Sequence, residues 1–408
     1  MKVLVINAGS SSVKYYLYDM PQAEVLVRGS VERIGEKNSE LAHFFADKTY
    51  TQQTQVKDVE DAMELVLETL VREDVGVIKC LSQIGGVGHR VVHGGEEFTG
   101  SVVVDEAVIT SIEKFADLAP LHNPPNLAGI RAVQRRVPDV PQVACFDTAF
   151  HSTIPEVAYM YALPYELYEK YHIRRYGFHG VSHRYVARRA AALMGREKYD
   201  INVITCHLGN GCSITAVKKG RSVDTSMGFT PLEGVPMGTR SGDLDPAILF
   251  YLGDKGYDVN KLKTLCNKQS GLFGISGASN DVRNLVELAE EGHERARLAI
   301  DVFCYRIKKY IGAYAAVLGV VDAVVFTGGI GENAVYLRSQ ICSDMTQIGI
   351  ELDLAINKET RATETEISAD DSRVAVFVIP TNEQAAIAND TYELTGQNEP
   401  IASEQCCG

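Results

Sequence analysis

The nine cysteines of this 408-residue chain include no C-x-x-C pair, are odd in number and lie scattered. That distribution excludes a disulfide framework and a zinc ribbon, and suits a reducing cytoplasm. Long apolar runs are missing as well. Val3 to Ile6 is too short for a secretory signal. The longest run, Ile311 to Phe326, is interrupted by Asp322 and falls short of a bilayer. A soluble, cytoplasmic protein without a membrane partner is therefore expected. Basic excess is absent too: the net charge is −13, which argues against nucleic acid, since phosphate backbones recruit basic faces. No linker or low-complexity block interrupts the chain. The proline-rich "APLHNPPN" (119–126) is too short for a linker and reads as an ordered loop.

What is present is ordinary globular material, 45% apolar and 23% charged, enough for roughly two or three domains. Strand-like and helix-like segments alternate, which favours an α/β architecture. Strands are expected at 83–92, 140–146, 201–206, 321–326 and 374–379. Val59, Met63, Val66, Leu67 and Leu70 mark one face of a helix opened by Asp58. Val108, Ile112 and Phe115 mark another, and a long helix is expected from His293 to Leu318. One internal echo spans half the chain. "VLVINAGSSS" at residue 3 is answered by "VITCHLGNGCS" at residue 203, each a strand, a polar residue (Asn7, His207), a glycine (Gly9, Gly209) and then resumed alternation.

The first of these hairpins carries more polarity than a turn needs. Ser10, Ser11, Ser12 and Lys14 offer hydroxyls and a cation that a phosphate would use. In "GVGHRVVHGGEEF" (86–98), Arg90 opposes His89 and His93 on a strand; it is a surface arginine or a functional one. Asp147 follows a strand, where α/β sites gather, or else caps a turn. His179 and His183 form H-x-x-x-H, but Gly180 stands where a zincin needs glutamate, so Ser182 or His183 is expected to open a helix instead. Arg240 sits between Gly238 and Gly242 near Glu233, Asp243 and Asp245, a setting for either an anion site or a salt-bridged loop. Gly329, Gly331 and Ala334 formally match a dinucleotide fingerprint, which keeps an NAD-dependent oxidoreductase in view. Thr381 and Gln384 form a capping box, with Glu383 favouring the helix dipole.

Together the motifs "INAGSSSVK", "GHRVVHGGE", "LAPLHNPPN", "FDTAFH", "YGFHGVSH", "HLGNG", "MGFTPLEG", "GTRSGDLDP", "SGASNDVR", "FTGGIGEN" and "IPTNE" closely resemble the acetokinase family, within the superfamily of sugar kinases, Hsp70 and actin. The resemblance implies duplicated ribonuclease-H-like (actin-like ATPase) domains with a cleft between them. Residues 1–150 with 385–408 would form one and 151–384 the other. It implies ATP and ADP as co-substrates, Mg2+ or Mn2+, acetate or acetyl phosphate as partner, and a homodimer. Propionate is the alternative acceptor within the family, and a non-catalytic ATP-gated module the alternative outside it.

By motif, Asn7 and Glu383 correspond to magnesium-side residues, and Ser10, Ser12 and Lys14 to the first phosphate hairpin. His207, Leu208, Gly209, Asn210 and Gly211, then Asp281, Val282 and Arg283, then Gly329, Ile330, Gly331, Glu332 and Asn333 correspond to nucleotide-binding segments. Arg90 and His122 are placed with the substrate, and Val92, Leu121, Phe178 and Pro231 with a small pocket for the acyl methyl group. Asp147, His179 and Arg240 are the catalytic candidates. A carboxylate acceptor is already ionised at neutral pH and needs no general base. Asp147 is therefore expected to orient, and Arg240 and His179 to meet the equatorial oxygens of an in-line transition state. Cys212, where a small hydroxyl residue is more usual, suggests oxidant sensitivity. The tail from Gln397 to Gly408, with Cys406 and Cys407, matches nothing in the family.

Overall fold

The computed structural model describes residues 1–396; the tail from Gln397, with Cys406 and Cys407, lies outside them. Alternating apolar residues and tight glycine turns give fourteen strands among the described residues: β1 (Lys2–Ala8), β2 (Ser12–Asp19), β3 (Glu24–Glu32), β4 (Ser39–Phe45), β5 (Lys48–Thr54), β6 (Ile84–Val91), β7 (Val102–Val103), β8 (Gln142–Phe146), β9 (Val203–Leu208), β10 (Cys212–Lys218), β11 (Arg221–Thr225), β12 (Ala323–Thr327), β13 (Thr365–Glu366) and β14 (Ala375–Val378). They divide between two compact units, Met1–Ala149 with residues 382–396, and Phe150–Thr381.

In the first unit the sheet runs β5-β4-β3-β2-β1-β6-β8-β7. Strands β1 to β5 form an antiparallel meander, β6 joins β1 in parallel, and β8 joins β6 in parallel. In the second the order is β11-β10-β9-β12-β14-β13, again an antiparallel three-strand meander with two parallel strands beside its first member. Even the edges agree: β7 pairs antiparallel with β8, and β13 antiparallel with β14. The ribonuclease-H-like topology is thus present twice, and the half-chain echo is the first hairpin of each copy. Because three strands of each meander are antiparallel, the second unit is not a doubly wound parallel sheet. The "FTGGIGEN" glycines therefore do not belong to a dinucleotide fold.

Each sheet is covered on both faces, which is why β1 and β12 read as continuous apolar runs rather than as alternation. On one face of the first sheet, Leu4, Ile6, Val13 and Leu17 pack with Met63, Val66, Leu67 and Val133. These come from the helix Val59–Val71, capped by Asp58 as its sequence requires, and the helix Asn123–Arg136. The opposite face receives the helix Glu383–Thr395. Gly88 makes this possible, since a Cβ there would stand 2.4 Å from Thr391 Oγ1 and 2.6 Å from Ile387 Cγ2. The second sheet is covered by the helix Gly180–Leu193, through Val186, Ala187 and Ala190 against Val203, Val325 and Phe377. The helix Glu294–Leu318 buries Ile300, Phe303, Ile307, Ile311 and Tyr314 at helical spacing and ends at Gly319.

Three local expectations change. "HNPPN" is not a loop, because Asn123 to Asn126 form the first turn of a helix that tolerates Pro124 and Pro125 at positions whose N–H groups need no intrahelical partner. The helix after "YGFHG" opens at Gly180, with His179 as its N-cap in a left-handed conformation (φ 57°), rather than at Ser182 or His183. And Asn382, not Thr381, caps the last helix, its side chain accepting from the Ala385 N–H at 3.0 Å.

Candidate functional site

In the first unit, parallel pairing lines up the ends of three strands. Ile6 pairs with His89 and Val91 with Phe146, so Asn7, Arg90 and Asp147 emerge at one edge of the sheet, where α/β ligands bind. Arg90 donates to both Asp147 oxygens, Nε to Oδ1 at 3.0 Å and an η nitrogen to Oδ2 at 2.5 Å. Glu383, at the start of the last helix, lies 3.7 Å from Arg90 Nε. Burial alone lowers the guanidinium's pKa, but the charges of Asp147 and Glu383 outweigh it and hold Arg90 protonated. Burial raises the Asp147 pKa against the pull of Arg90, and the nearby Glu383 raises it further. Two carboxylates thus share one cation.

The "HNPPN" motif turns out to brace this edge. Asn126 accepts from Val92 N at 3.1 Å and donates to Ala8 O at 2.6 Å. Asn123 accepts from His93 N at 3.1 Å and donates to its carbonyl at 3.0 Å. Both asparagines were missed in the sequence, although a polar residue buried in the first turn of an amphipathic helix is a usable signal. Val92 is buried, while Leu121 and His122 are exposed. The hairpin after β1 closes with Gly9 N donating to Ser12 O at 2.8 Å; Ser10 and Lys14 are exposed and Ser12 half-buried.

The second unit repeats that hairpin with different side chains. Leu208 pairs with Cys212 as Ala8 pairs with Val13, and Gly209 N donates to Gly211 O at 3.0 Å. The His207 ring stacks on that of His179 with centroids 4.2 Å apart. A Cβ on Gly211 would stand 3.5 Å from both His179 Nε2 and an Arg240 η nitrogen, so the imidazole and the guanidinium converge above the bare backbone of the turn. Arg240 donates only to Pro231 O at 3.3 Å and, weakly, to Met237 Sδ. Burial lowers its pKa. Among the described residues no carboxylate pairs with it.

The acids beside Arg240 in sequence are spent elsewhere. Glu233 meets Arg175 at 2.6 Å and accepts from the Tyr161 hydroxyl. Asp243 accepts from Tyr310 at 2.6 Å and from Gly234 N at 2.9 Å. Of the two readings of this loop, the salt bridges exist but bypass Arg240. A half-buried cation with donors to spare, above a glycine, is chemically suited to an anion.

The remaining nucleotide candidates also make structural contacts. Glu332 Oε1 accepts from Gly328 N at 2.9 Å and Thr381 N at 3.1 Å, tying the end of β12 to the segment after β14. Asn333 donates to Gly329 O. Asp281 caps its helix and grips Arg283, both near the surface. Val282 and Leu208 are buried, whereas Ile330 is half-buried; Phe178 is buried and Pro231 half-buried. The buried Arg338, which the sequence did not signal, donates to Gly331 O at 2.9 Å and Glu332 O at 3.0 Å and so shapes the glycine turn. Cys212 does not look redox-sensitive: it is buried, its thiol donates to Gly209 O at 3.1 Å, and burial pushes its pKa up to about 12.

The family model described as the acetokinase family matches residues 2–389. The chain belongs to the acetokinase family. It is 54% identical over 397 residues to the acetate kinase of Thermotoga maritima, covering 97% of this chain and 98% of that one. The crystal structure of Porphyromonas gingivalis acetate kinase superposes with a TM-score of 0.94 at 46% identity, covering 96% and 99% of the two chains. A propionate kinase from Francisella tularensis superposes with a TM-score of 0.90 at 44% identity, over 96% and 99%. Acetokinase membership accounts for the motif order along the whole matched span. It leaves the last residues, from 390 onward, outside the family model.

Proposed function

We infer that this chain transfers the γ-phosphoryl group of ATP reversibly to acetate, giving ADP and acetyl phosphate. Identity above one half to acetate kinases over 97% of the chain carries the reaction. The geometry suggests who does what. Arg90 holds the acetate carboxylate, exchanging part of its grip on Asp147 for the substrate. By motif, Val92 and Leu121 in the first unit, and Phe178 and Pro231 in the second, are the candidates to meet the methyl group. Arg240 and His179 donate to the equatorial oxygens of the passing phosphoryl, whose loose transition state needs positioning and charge neutralisation rather than covalent help. By motif, Ser10, Ser12 and Lys14 of the serine hairpin in the first unit, and in the second the turn from His207 to Gly211 with the segments at Asp281–Arg283 and Gly329–Asn333, are the candidates to hold the nucleotide.

The donor set suits a hard divalent cation. Asn7 and Glu383 offer oxygen atoms, Asp147 and Glu383 carry more negative charge than Arg90 neutralises, and among the described residues no cluster of three His, Cys, Asp or Glu side chains could enclose a metal. Magnesium, which keeps waters and phosphate oxygens as ligands, needs no such cage. When bound, it would neutralise phosphate charge; Asn7 and Glu383 would hold it, with Asp147 orienting.

We also propose a homodimer in the cytoplasm. The helix Ala247–Asp254 buries none of its residues, and Ile248, Phe250 and Tyr251 are exposed by 48%, 74% and 61%, an apolar face that a second copy would cover. No helix among the described residues is long and apolar enough to cross a membrane. The seven described cysteines are all free, as a reducing compartment requires.

A hydroxylamine trap tests the reaction. With ATP, magnesium and acetate, acetyl hydroxamate should accumulate only when all three are present. Its absence, at enzyme concentrations sufficient for a single turnover, would refute the assignment. Propionate should serve less well but measurably, since Val92, rather than a smaller residue, leaves less room for a further carbon, while one methylene changes binding by only about 0.8 kcal/mol. A higher kcat/KM for propionate would move the chain to the other branch of the family without altering the mechanism.

A further inference from the structure

Behind His179 runs a buried line of alternating imidazoles and hydroxyls. His179 Nδ1 lies 2.8 Å from Ser213 Oγ. The same oxygen lies 2.7 Å from His183 Nε2, and His183 Nδ1 lies 2.7 Å from Thr205 Oγ1. Ser213, His183 and Thr205 are each fully buried. They come from three elements, β10, the helix Gly180–Leu193 and β9. The register pairs Ser213 with His207 across the hairpin, so the line ends at the stacked His179–His207 pair.

A serine hydroxyl has one proton, and can donate to only one of the two imidazoles it touches. His183 is neutral: burial, with His151 and His207 as neighbours, pulls its pKa well below the ordinary 6.5. A neutral imidazole has a single N–H, so with the buried Ser213 proton donated to one of its two ring partners the line admits two polarities. In one, His179 donates from Nδ1 to Ser213, Ser213 to His183 Nε2, and His183 from Nδ1 to Thr205. In the other, Thr205 donates to His183 Nδ1, His183 from Nε2 to Ser213, and Ser213 to His179 Nδ1.

The surroundings of His179 choose between them. Its Nε2 faces the position above Gly211 that Arg240 also faces, and a second full positive charge there would be repelled by the guanidinium. Neutral His179 under the first polarity would turn a lone pair on Nε2 toward phosphoryl oxygens, and repel them. Only the second polarity gives a neutral ring with its proton on Nε2, ready to donate. We propose that Ser213, oriented by His183 and Thr205, is a positioning residue that holds His179 as its neutral, Nε2-protonated tautomer for phosphoryl transfer. The nitrogen that carries the proton is set by the hydrogen bond at the other one, a general property of histidine sites.

This rests on the reading of His179 as a donor to the phosphoryl group, and a double-mutant cycle separates the two. His179→Ala should lower kcat by about a hundredfold or more. Ser213→Ala should lower kcat about 10- to 100-fold while the KM values for ATP and acetate stay within about threefold, and Ser213→Thr, which keeps the hydroxyl, should recover most of the loss. In the His179→Ala background, Ser213→Ala should cost nothing further. In the 15N NMR spectrum of the labelled wild-type enzyme, His179 Nδ1 should show as an unprotonated nitrogen. Additive losses, which general damage to β10 would give, or a protonated Nδ1 would overturn the proposal. Unchanged kcat in His179→Ala would instead overturn the reading of His179 itself.

Discussion

Arg90 and Arg240 are both arginines between glycine-rich turns, yet their surroundings differ in the one respect that decides their chemistry. Arg90 is paired with two carboxylates before any substrate arrives; Arg240 meets none among the described residues. Removing Arg90 should therefore weaken acetate binding and strand Asp147 in a buried setting. Arg90→Ala is expected to raise the KM for acetate at least tenfold, by steady-state kinetics, with stability lowered as well. Arg240, whose guanidinium meets a backbone carbonyl and a thioether rather than a carboxylate among the described residues, should matter when charge develops. Arg240→Ala is expected to lower kcat by about 100- to 1,000-fold, with a much smaller change in the KM for acetate. A change confined to KM would assign it to ground-state binding.

At the level of elements, the glycine turn after β12 is held from behind by a guanidinium that has no carboxylate partner among the described residues. Arg338 donates to Gly331 O, Glu332 O, Thr360 O and both oxygens of Asn357, and its pKa is lowered to about 10 by burial and by Arg361. Arg338→Met fills much of the volume but leaves those acceptors without donors. The expected cost is about 3 kcal/mol, visible as a lower Tm, with a raised KM for ATP if the turn contacts nucleotide. The cap of the last helix offers a milder comparison. Asn382→Ala removes one side-chain acceptor and should cost about 1 kcal/mol in chemical denaturation, whereas Thr381→Ala, at the residue the capping-box pattern favoured, should leave the helix end intact.

For the whole molecule, buried neutral histidines set the acid limit of stability. Burial pulls His89 and His93 in the first unit, and His151 in the second, down to about 4 from the ordinary 6.5. The unfolded chain takes up these protons below pH 6.5 and the folded one only near 4, so the contribution is complete above pH 6.5 and lost as pH falls toward 4. Each such histidine is worth on the order of 3 kcal/mol across that window. Thermal unfolding followed from pH 7.5 to pH 4.5 should show Tm falling steadily below pH 6.5, with both units affected. A flat Tm down to pH 5 would mean that these rings take up protons in the fold as readily as in the unfolded chain.

The amino-acid sequence determined what depends on near neighbours. Apolar runs bounded by glycine turns marked the strand ends, helical spacing marked the helix Val59–Val71 and its Asp58 cap, and the recurrence of one hairpin at half-chain distance marked the duplication. The resemblance of eleven short motifs to one family added the candidate residues to that. What the motifs could not contain is which polar groups would meet. Arg90 and Asp147 are joined only because β6 and β8 lie parallel in register. Ser213 touches both His179 and His183 only because a hairpin strand passes beneath the first turns of a helix. Asn123 and Asn126 become braces rather than loop residues because Pro124 and Pro125 open a helix against the sheet edge. Backbone conformation is chosen by local torsional and apolar preferences, which adjacent residues carry. The pairing of buried polar groups is chosen by desolvation, which acts only once distant segments are packed together.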